Sequence, residues 1–350
     1  MSSLLGMASL YLVDEARTEP LLGAAARRPV GVQLIYPAAG PVEPGNRIPD
    51  RADWLAAAAG WLDEEPRILA EKYGPLPAVG GDCAPPAVGC FPLLLFSPGG
   101  YQSRHVYAGL AAQLAAAGYV VALLSHAFAG LDMFPGHGLV GRHPYWSQAP
   151  GAERDAVLEE MTDCLAADAR FVIDRLLDGS LPPGGMIDPA RIGIIGHSRG
   201  GRTVSRTASM DTRIGAAVIY DALPPARERV SGFTQPLLLM RVADPENDHH
   251  WREGTARWPP ERLAELSDLI RANQAPIHDC AISGIGHMNF SDRAAVEPSR
   301  FLSRLSAARA TAIIVALTLA FLDRHLKGLD SDVADTASLY PEVRLTGTVA

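Results

Sequence analysis

The 350-residue sequence predicts a single α/β domain, residues 1–350, with a mostly parallel central sheet and helices on both faces. Two observations carry that reading. Short apolar runs alternate with longer segments of helical periodicity, as strand–helix–strand units require. Several of the runs are apolar throughout, as strands covered on both faces must be.

The expected strands are 30–36, 92–97, 120–124, 192–196, 216–220, 237–240 and 279–282. Between them, 107–117 is Ala-rich and stops before Gly118, a helix C-terminal signal. In 153–177, Leu158, Met161, Leu165, Ala169, Val172 and Leu176 recur at spacings of three and four, which places one apolar stripe against the sheet. Residues 201–210 form the helix after the fourth run. The most apolar stretch, 311–322, falls short of the roughly 20 residues a bilayer span needs. It reads as a buried C-terminal helix, with Gly328 as its stop. The Pro- and Gly-rich stretch 40–89, with a possible helix at 52–62, and residues 125–150 and 244–275 are longer than minimal connections. They are candidate cap or lid loops.

Composition narrows the function classes. A net charge of −8 and a sequence pI near 5.7 argue against nucleic acid as a partner. Cys83, Cys90, Cys164 and Cys280 show no metal-type spacing, and a Cys83–Cys90 bridge would require an oxidising compartment. The first residues lack a basic leader, and Asp14 and Glu15 interrupt their apolar run, so a cytoplasmic location is expected. No dinucleotide or phosphate-loop fingerprint is present. The Asp248-His249-His250 cluster lacks ligand spacing, so neither metal nor cofactor is expected.

The chemistry concentrates at Gly196-His197-Ser198-Arg199-Gly200. An apolar run precedes this Gly-x-Ser-x-Gly sequence and a helical stretch follows it, the setting of a nucleophile elbow and hence of an α/β-hydrolase fold. Glycines at 196, 200 and 201 leave room where strand and helix approach closely. His197 reads as a structural neighbour whose side chain points away from the nucleophile. A serine hydroxyl needs a base, and in this chain order the base comes last. His287, in Gly284-Ile285-Gly286-His287 after the final run, fits; His278, before that run, fits worse. For the acid, Asp221 and Asp244 each follow an apolar run, and position does not separate them. The oxyanion would be held by the backbone N–H of Arg199 and by one from the loop Ser97-Pro98-Gly99-Gly100, with Gly100 the candidate. Tyr101, Phe128, Trp146, Trp251 and Met288 are the candidate substrate-binding residues. Phe134, Tyr145 and Trp258 are further aromatic candidates for an apolar wall.

Six stretches resemble the platelet-activating factor acetylhydrolase family of α/β-hydrolases: 30–37, 96–100, 114–121, 196–201, 219–222 and 286–292. The resemblance implies Asp221 as the acid, and Gly100 and Arg199 as oxyanion donors. Pro98 stands where that family usually has His, and Arg199 where it commonly has Phe. The elbow is also similar to that of chlorophyllases, and Ser-Pro-Gly is similar to bacterial cutinases. The expected function is a serine esterase acting through an acyl-enzyme on a small or lipid-like ester. A cutin- or polyester-type hydrolase, or a non-catalytic binding protein of the same fold, are the alternatives.

Overall fold

In a computed structural model the residues described are 3–43, 45, 79–141, 143–147, 150–151, 153–182, 185–243, 258–273, 275–296 and 303–346. The possible helix at 52–62 lies outside them, as do Asp244, the Asp248–His250 cluster and Trp251. Contacts divide the chain into two compact units, Met1–Pro189 and Ala190–Ala350.

The first unit contains β1 (Ser3–Thr18), β2 (Arg27–Val42), β3 (Gly81–Asp82), β4 (Phe91–Ser97) and β5 (Val120–His126), in the sheet order β4-β5-β2-β1-β3. β4 and β5 run parallel, with Leu93 opposite Val120. β2 is antiparallel to both β1 and β5. All seven residues of β5 are buried, which explains its unbroken apolar sequence. Helix α1 (Ala108–Ala116) leads into β5. A small hairpin, β6 (Asp132–Phe134) with β7 (Gly138–Val140), and the short α2 (Pro144–Ser147) lie within the stretch read as a loop at 125–150. Three-residue strands are too short for alternation to reveal. Helix α3 (Arg154–Leu177) buries Met161, Leu165, Ala169, Val172 and Leu176, five of the six residues of the stripe its spacing predicts, and partly buries the sixth, Leu158.

A buried polar core holds this unit together. Asp168, on the inner face of α3, receives Arg28 Nε and Nη2 at 3.1 and 2.7 Å and Arg17 Nη2 at 2.7 Å. It also pairs with His126 Nδ1 at 2.9 Å. Burial pushes the Asp168 pKa up, but the charge of Arg28 and the hydrogen bonds from His126 and Arg28 outweigh it. The carboxyl ends well below its usual range.

In the second unit, β8 (Ile187–His197, which starts just before the boundary), β9 (Ile214–Tyr220), β10 (Leu237–Val242), β11 (Ile277–Ile282) and β12 (Val343–Thr346) follow the order β12-β11-β10-β9-β8. β8, β9, β10 and β11 are parallel neighbours, and β12 is antiparallel to β11. Helices are α4 (Arg199–Met210), α5 (Ala226–Ser231), α6 (Pro260–Ala272), α7 (Arg293–Val296), α8 (Ala307–Lys327) and α9 (Val333–Ser338). α8 contains the apolar stretch 311–322. Ser306 caps it by accepting from Arg309 N at 3.2 Å, and Gly328 ends it in the left-handed region, φ 67°. Among the described residues no helix is long and apolar enough to cross a membrane.

The seven strands expected from the sequence are all present, each of them longer than read. β1, β3, β12 and the β6–β7 hairpin are additional.

Candidate active site

The site forms at the C-terminal ends of the parallel strands of the second unit, where side chains carried by separate connections converge. β8 delivers Ser198 onto a turn. Its backbone lies at φ 55°, ψ −113°, a conformation L-residues avoid. Two hydrogen bonds hold the turn: Ser198 N to Tyr220 O at 2.8 Å, and Gly201 N to Ser198 O at 3.0 Å. A Cβ at residue 196 would stand 2.3 Å from Gly200 O, and one at 201 would stand 2.8 Å from side-chain carbons of Ile219 and Ala222. Glycine at both positions is therefore a steric requirement of the turn. Ser198 is also the residue before the first turn of α4, so Arg199 N–H belongs to the helix's positive end.

Asp221 follows β9 and is fully buried, also with positive φ, 49°. Its N–H donates to Met240 O at 2.7 Å. One carboxylate oxygen, Oδ1, accepts from Trp258 Nε1 at 2.7 Å and from Val242 N at 3.2 Å. The other, Oδ2, meets His287 Nδ1 at 2.7 Å. A buried carboxylate with three donors is held in one orientation.

His287 opens the 3₁₀ turn His287–Phe290 after β11. Asn289 anchors that turn through Gly286 N at 2.8 Å. With Nδ1 donating to Asp221, a neutral His287 carries its lone pair on Nε2. Against this ring lies His197, with Nε2 3.2 Å from His287 Nδ1 and ring centroids 4.2 Å apart. The expectation that His197 turns away toward a purely structural role did not include this contact. Its physical consequence is a tautomer. Since His287 Nδ1–H points at Asp221, His197 Nε2 can face it only as an acceptor, so a neutral His197 carries its hydrogen on Nδ1.

The structure thus brings Asp221 and His287 together. Asp244, the alternative acid, is outside the described residues, as is Trp251. Trp258, read as one aromatic of an apolar wall, is instead a hydrogen-bond donor to Asp221. No periodicity or motif marks a contact across 37 positions of sequence. Met288 is buried beside His287.

In the first unit, the loop after β4 is tightly bonded. Gly99 N donates to Tyr107 Oη at 2.9 Å and Tyr101 N to Ala129 O at 2.7 Å. Among the described residues, no hydrogen bond takes the N–H of Gly100. Tyr101 is half-buried, with φ 62°. Phe128 and Trp146 are buried in one apolar cluster with Phe134, Val140, Met161 and Leu165.

The same unit contains a second Ser–His–Asp arrangement: Ser97 Oγ to His126 Nε2 at 3.1 Å, and His126 Nδ1 to Asp168 at 2.9 Å. Ser97 is 0% exposed and Asp168 is clamped by two arginines, so no substrate carbonyl can reach the hydroxyl. Geometry alone does not make a nucleophile. Ser198 differs from Ser97 in being only half-buried and in lying on a strained turn.

All four cysteines are free thiols, and among the described residues no group of three or more His, Cys, Asp or Glu is gathered as a metal site would require.

A family model described as platelet-activating factor acetylhydrolase, isoform II, matches residues 74–129 and 178–342, more than half of the chain. The chain belongs to this family. The match to the acetylhydrolase model spans β4 with its glycine loop, the elbow, Asp221 and His287. It omits 130–177, which holds the β6–β7 hairpin and α3. A probable 1-alkyl-2-acetylglycerophosphocholine esterase of Arthroderma benhamiae is 32% identical over 137 residues, 37% of this chain and 31% of that protein. The platelet-activating factor acetylhydrolase of Bos taurus is 25% identical over 292 residues, 71% of this chain and 60% of its own. That of Cavia porcellus is 22% identical, covering 74% and 64%. The chain therefore spans less than two thirds of the length of each of these relatives. Among solved structures, a ferulic acid esterase from Streptomyces cinnamoneus superposes with a TM-score of 0.74 at 27% identity, covering 98% of this chain and 96% of that one. The fold is that of the α/β-hydrolases.

Proposed function

We propose that this acetylhydrolase-family chain is a serine esterase, with Ser198 as nucleophile, His287 as general base and Asp221 as the acid that orients it. The observation that carries the reading is the 2.7 Å Asp221–His287 pair in the same unit as a serine held on a strained glycine-flanked turn. In the reaction, Ser198 Oγ adds to the ester carbonyl as its proton passes to His287 Nε2. The carboxylate of Asp221 stabilises the imidazolium that forms. The Arg199 N–H, at the start of α4, is one donor to the oxyanion, and Gly100 is the second donor position the family implies. Collapse of the tetrahedral adduct expels the alkoxide, which takes the proton from His287. Water then adds to the acyl-enzyme by the same route, returning the free acid and Ser198.

For the substrate we favour a small or lipid-like ester, on the strength of the acetylhydrolase family match. A second reading, an aromatic acid ester, is favoured by the ferulic acid esterase, which aligns along nearly the whole of both chains. A panel of p-nitrophenyl acetate, p-nitrophenyl hexanoate, a 2-acetyl glycerophosphocholine and methyl ferulate decides between them by kcat/KM. A fluorophosphonate probe should label Ser198 in the native chain and fail on Ser198→Ala. An unlabelled native chain would leave only a non-catalytic role for the fold.

A further inference from the structure

We propose that Trp258 is a positioning residue for the ester chemistry: its indole N–H pins one oxygen of Asp221, so that the other is presented to His287. The inference rests on the esterase reading above and adds a component to it. Trp258 is buried, and its Nε1 lies 2.7 Å from Asp221 Oδ1, the oxygen that also accepts from Val242 N at 3.2 Å. Two donors on Oδ1 leave Oδ2 for the 2.7 Å bond to His287 Nδ1. A carboxylate can rotate about its Cβ–Cγ bond, and the pair of donors removes that freedom.

The indole is itself held from behind. The Arg241 guanidinium carbon sits 5.6 Å from the Trp258 ring centroid, within cation–π range. Arg241 is fixed by Asp279 on the neighbouring strand, Nε to Oδ1 at 2.9 Å and Nη2 to Oδ2 at 3.1 Å. A cation over the ring face draws electron density from the indole and strengthens its N–H as a donor. The sequence of contacts Asp279–Arg241–Trp258–Asp221–His287 thus runs across β10 and β11 to the base. Among the described residues, Asp221 and His197 are titratable groups that face His287, the latter 3.2 Å from Nδ1. Those backing Trp258 are Arg241 and Asp279.

The test is Trp258→Phe, which keeps a buried ring and deletes the donor. Deleting a hydrogen bond to a charged group weakens an interaction by about tenfold or more. The expected loss in kcat is therefore about tenfold, with KM within about twofold. Losing a donor concentrates charge on Asp221, so His287 holds its proton more strongly. The rising limb of the kcat/KM profile then moves to higher pH by about half a unit. In an Asp221→Asn background the same substitution should cost less than about twofold, because its partner is already altered. An unmoved profile, or a full loss that persists beside Asp221→Asn, overturns the proposal. If Trp258→Phe does not fold, the native chain serves. The Trp258 indole proton, assigned by single Trp→Phe changes at 54, 61, 146 and 251, should titrate with the midpoint of the kcat/KM profile. An indole resonance that ignores that midpoint overturns the proposal. Fluorophosphonate labelling of the native chain separates the two failures: without labelling the esterase reading falls, and with labelling only the role of Trp258 is at issue.

Discussion

Replacing Ser198 by glycine should leave the protein more stable than replacing it by alanine. Ser198 sits at φ 55°, ψ −113°, a region where a Cβ is strained at about 1–3 kcal/mol. Ser198→Ala keeps the Cβ and therefore the strain. Ser198→Gly removes it, but glycine restores freedom to the unfolded chain at a cost of about 0.4–1 kcal/mol. The difference leaves the glycine variant about 1 kcal/mol more stable than the alanine variant. In regular secondary structure the order is the reverse, by about 0.5–1 kcal/mol. Both variants lack the hydroxyl, so neither should hydrolyse esters, and loss of the side chain's polar contacts is common to the two. Urea unfolding of the pair, followed by fluorescence and circular dichroism, isolates the backbone term. An alanine variant as stable as the glycine variant, or more so, would refute the argument that the turn stores strain on behalf of the reaction.

Three further outcomes are expected. Asp221→Asn should lower kcat by about 10⁴-fold with a small change in stability, whereas Asp244→Asn should change it little; parallel kinetics on the two variants checks the choice of acid. Asp168→Asn should destabilise the fold by about 3 kcal/mol, because Arg28 and Arg17 lose a buried carboxylate and Arg28 keeps only its pair with Glu19. The sign with pH follows from the depressed Asp168 pKa. Its stabilisation is complete above the unfolded carboxyl range near pH 4 and is lost as pH falls toward the folded value, so acid unfolding curves of the native chain should steepen there and those of the variant should not. Alkylation at pH 8 should modify the exposed Cys83 and Cys90 first and spare Cys280, which burial pushes up to about 12; peptide mapping reads the order.

The parts of this molecule that were legible in the amino-acid order are those with a local signature. Strands buried on both faces write themselves as apolar runs, and the stripe on α3 repeats with the helical turn. The elbow is a five-residue pattern whose glycines answer a steric demand visible at 2.3 Å. His287 could be placed because the chain order of such sites is constrained. The acid could not be settled by position, since Asp221 and Asp244 both follow apolar runs; the bond to His287 is a long-range contact with no local trace. Trp258 was read only as one more aromatic for the same reason. Asp168 did leave a trace. It interrupts the inner face of α3 between Leu165 and Ala169, where a lone carboxylate in an apolar stripe signals a buried ionic partner. β12 and the β6–β7 hairpin are too brief for alternation to rise above chance, and β1 is half exposed along its length, which blurs its pattern.

β12 has a practical consequence. Its four residues cover the outer edge of β11, with Ile282 opposite Val343, and Ser283 N donates to Glu342 O at 2.8 Å, four positions before His287. A strand this short shields the row of unpaired peptide groups that would otherwise recruit a neighbouring molecule. Changes that remove or disturb β12 therefore bear on solubility and on the candidate site at once.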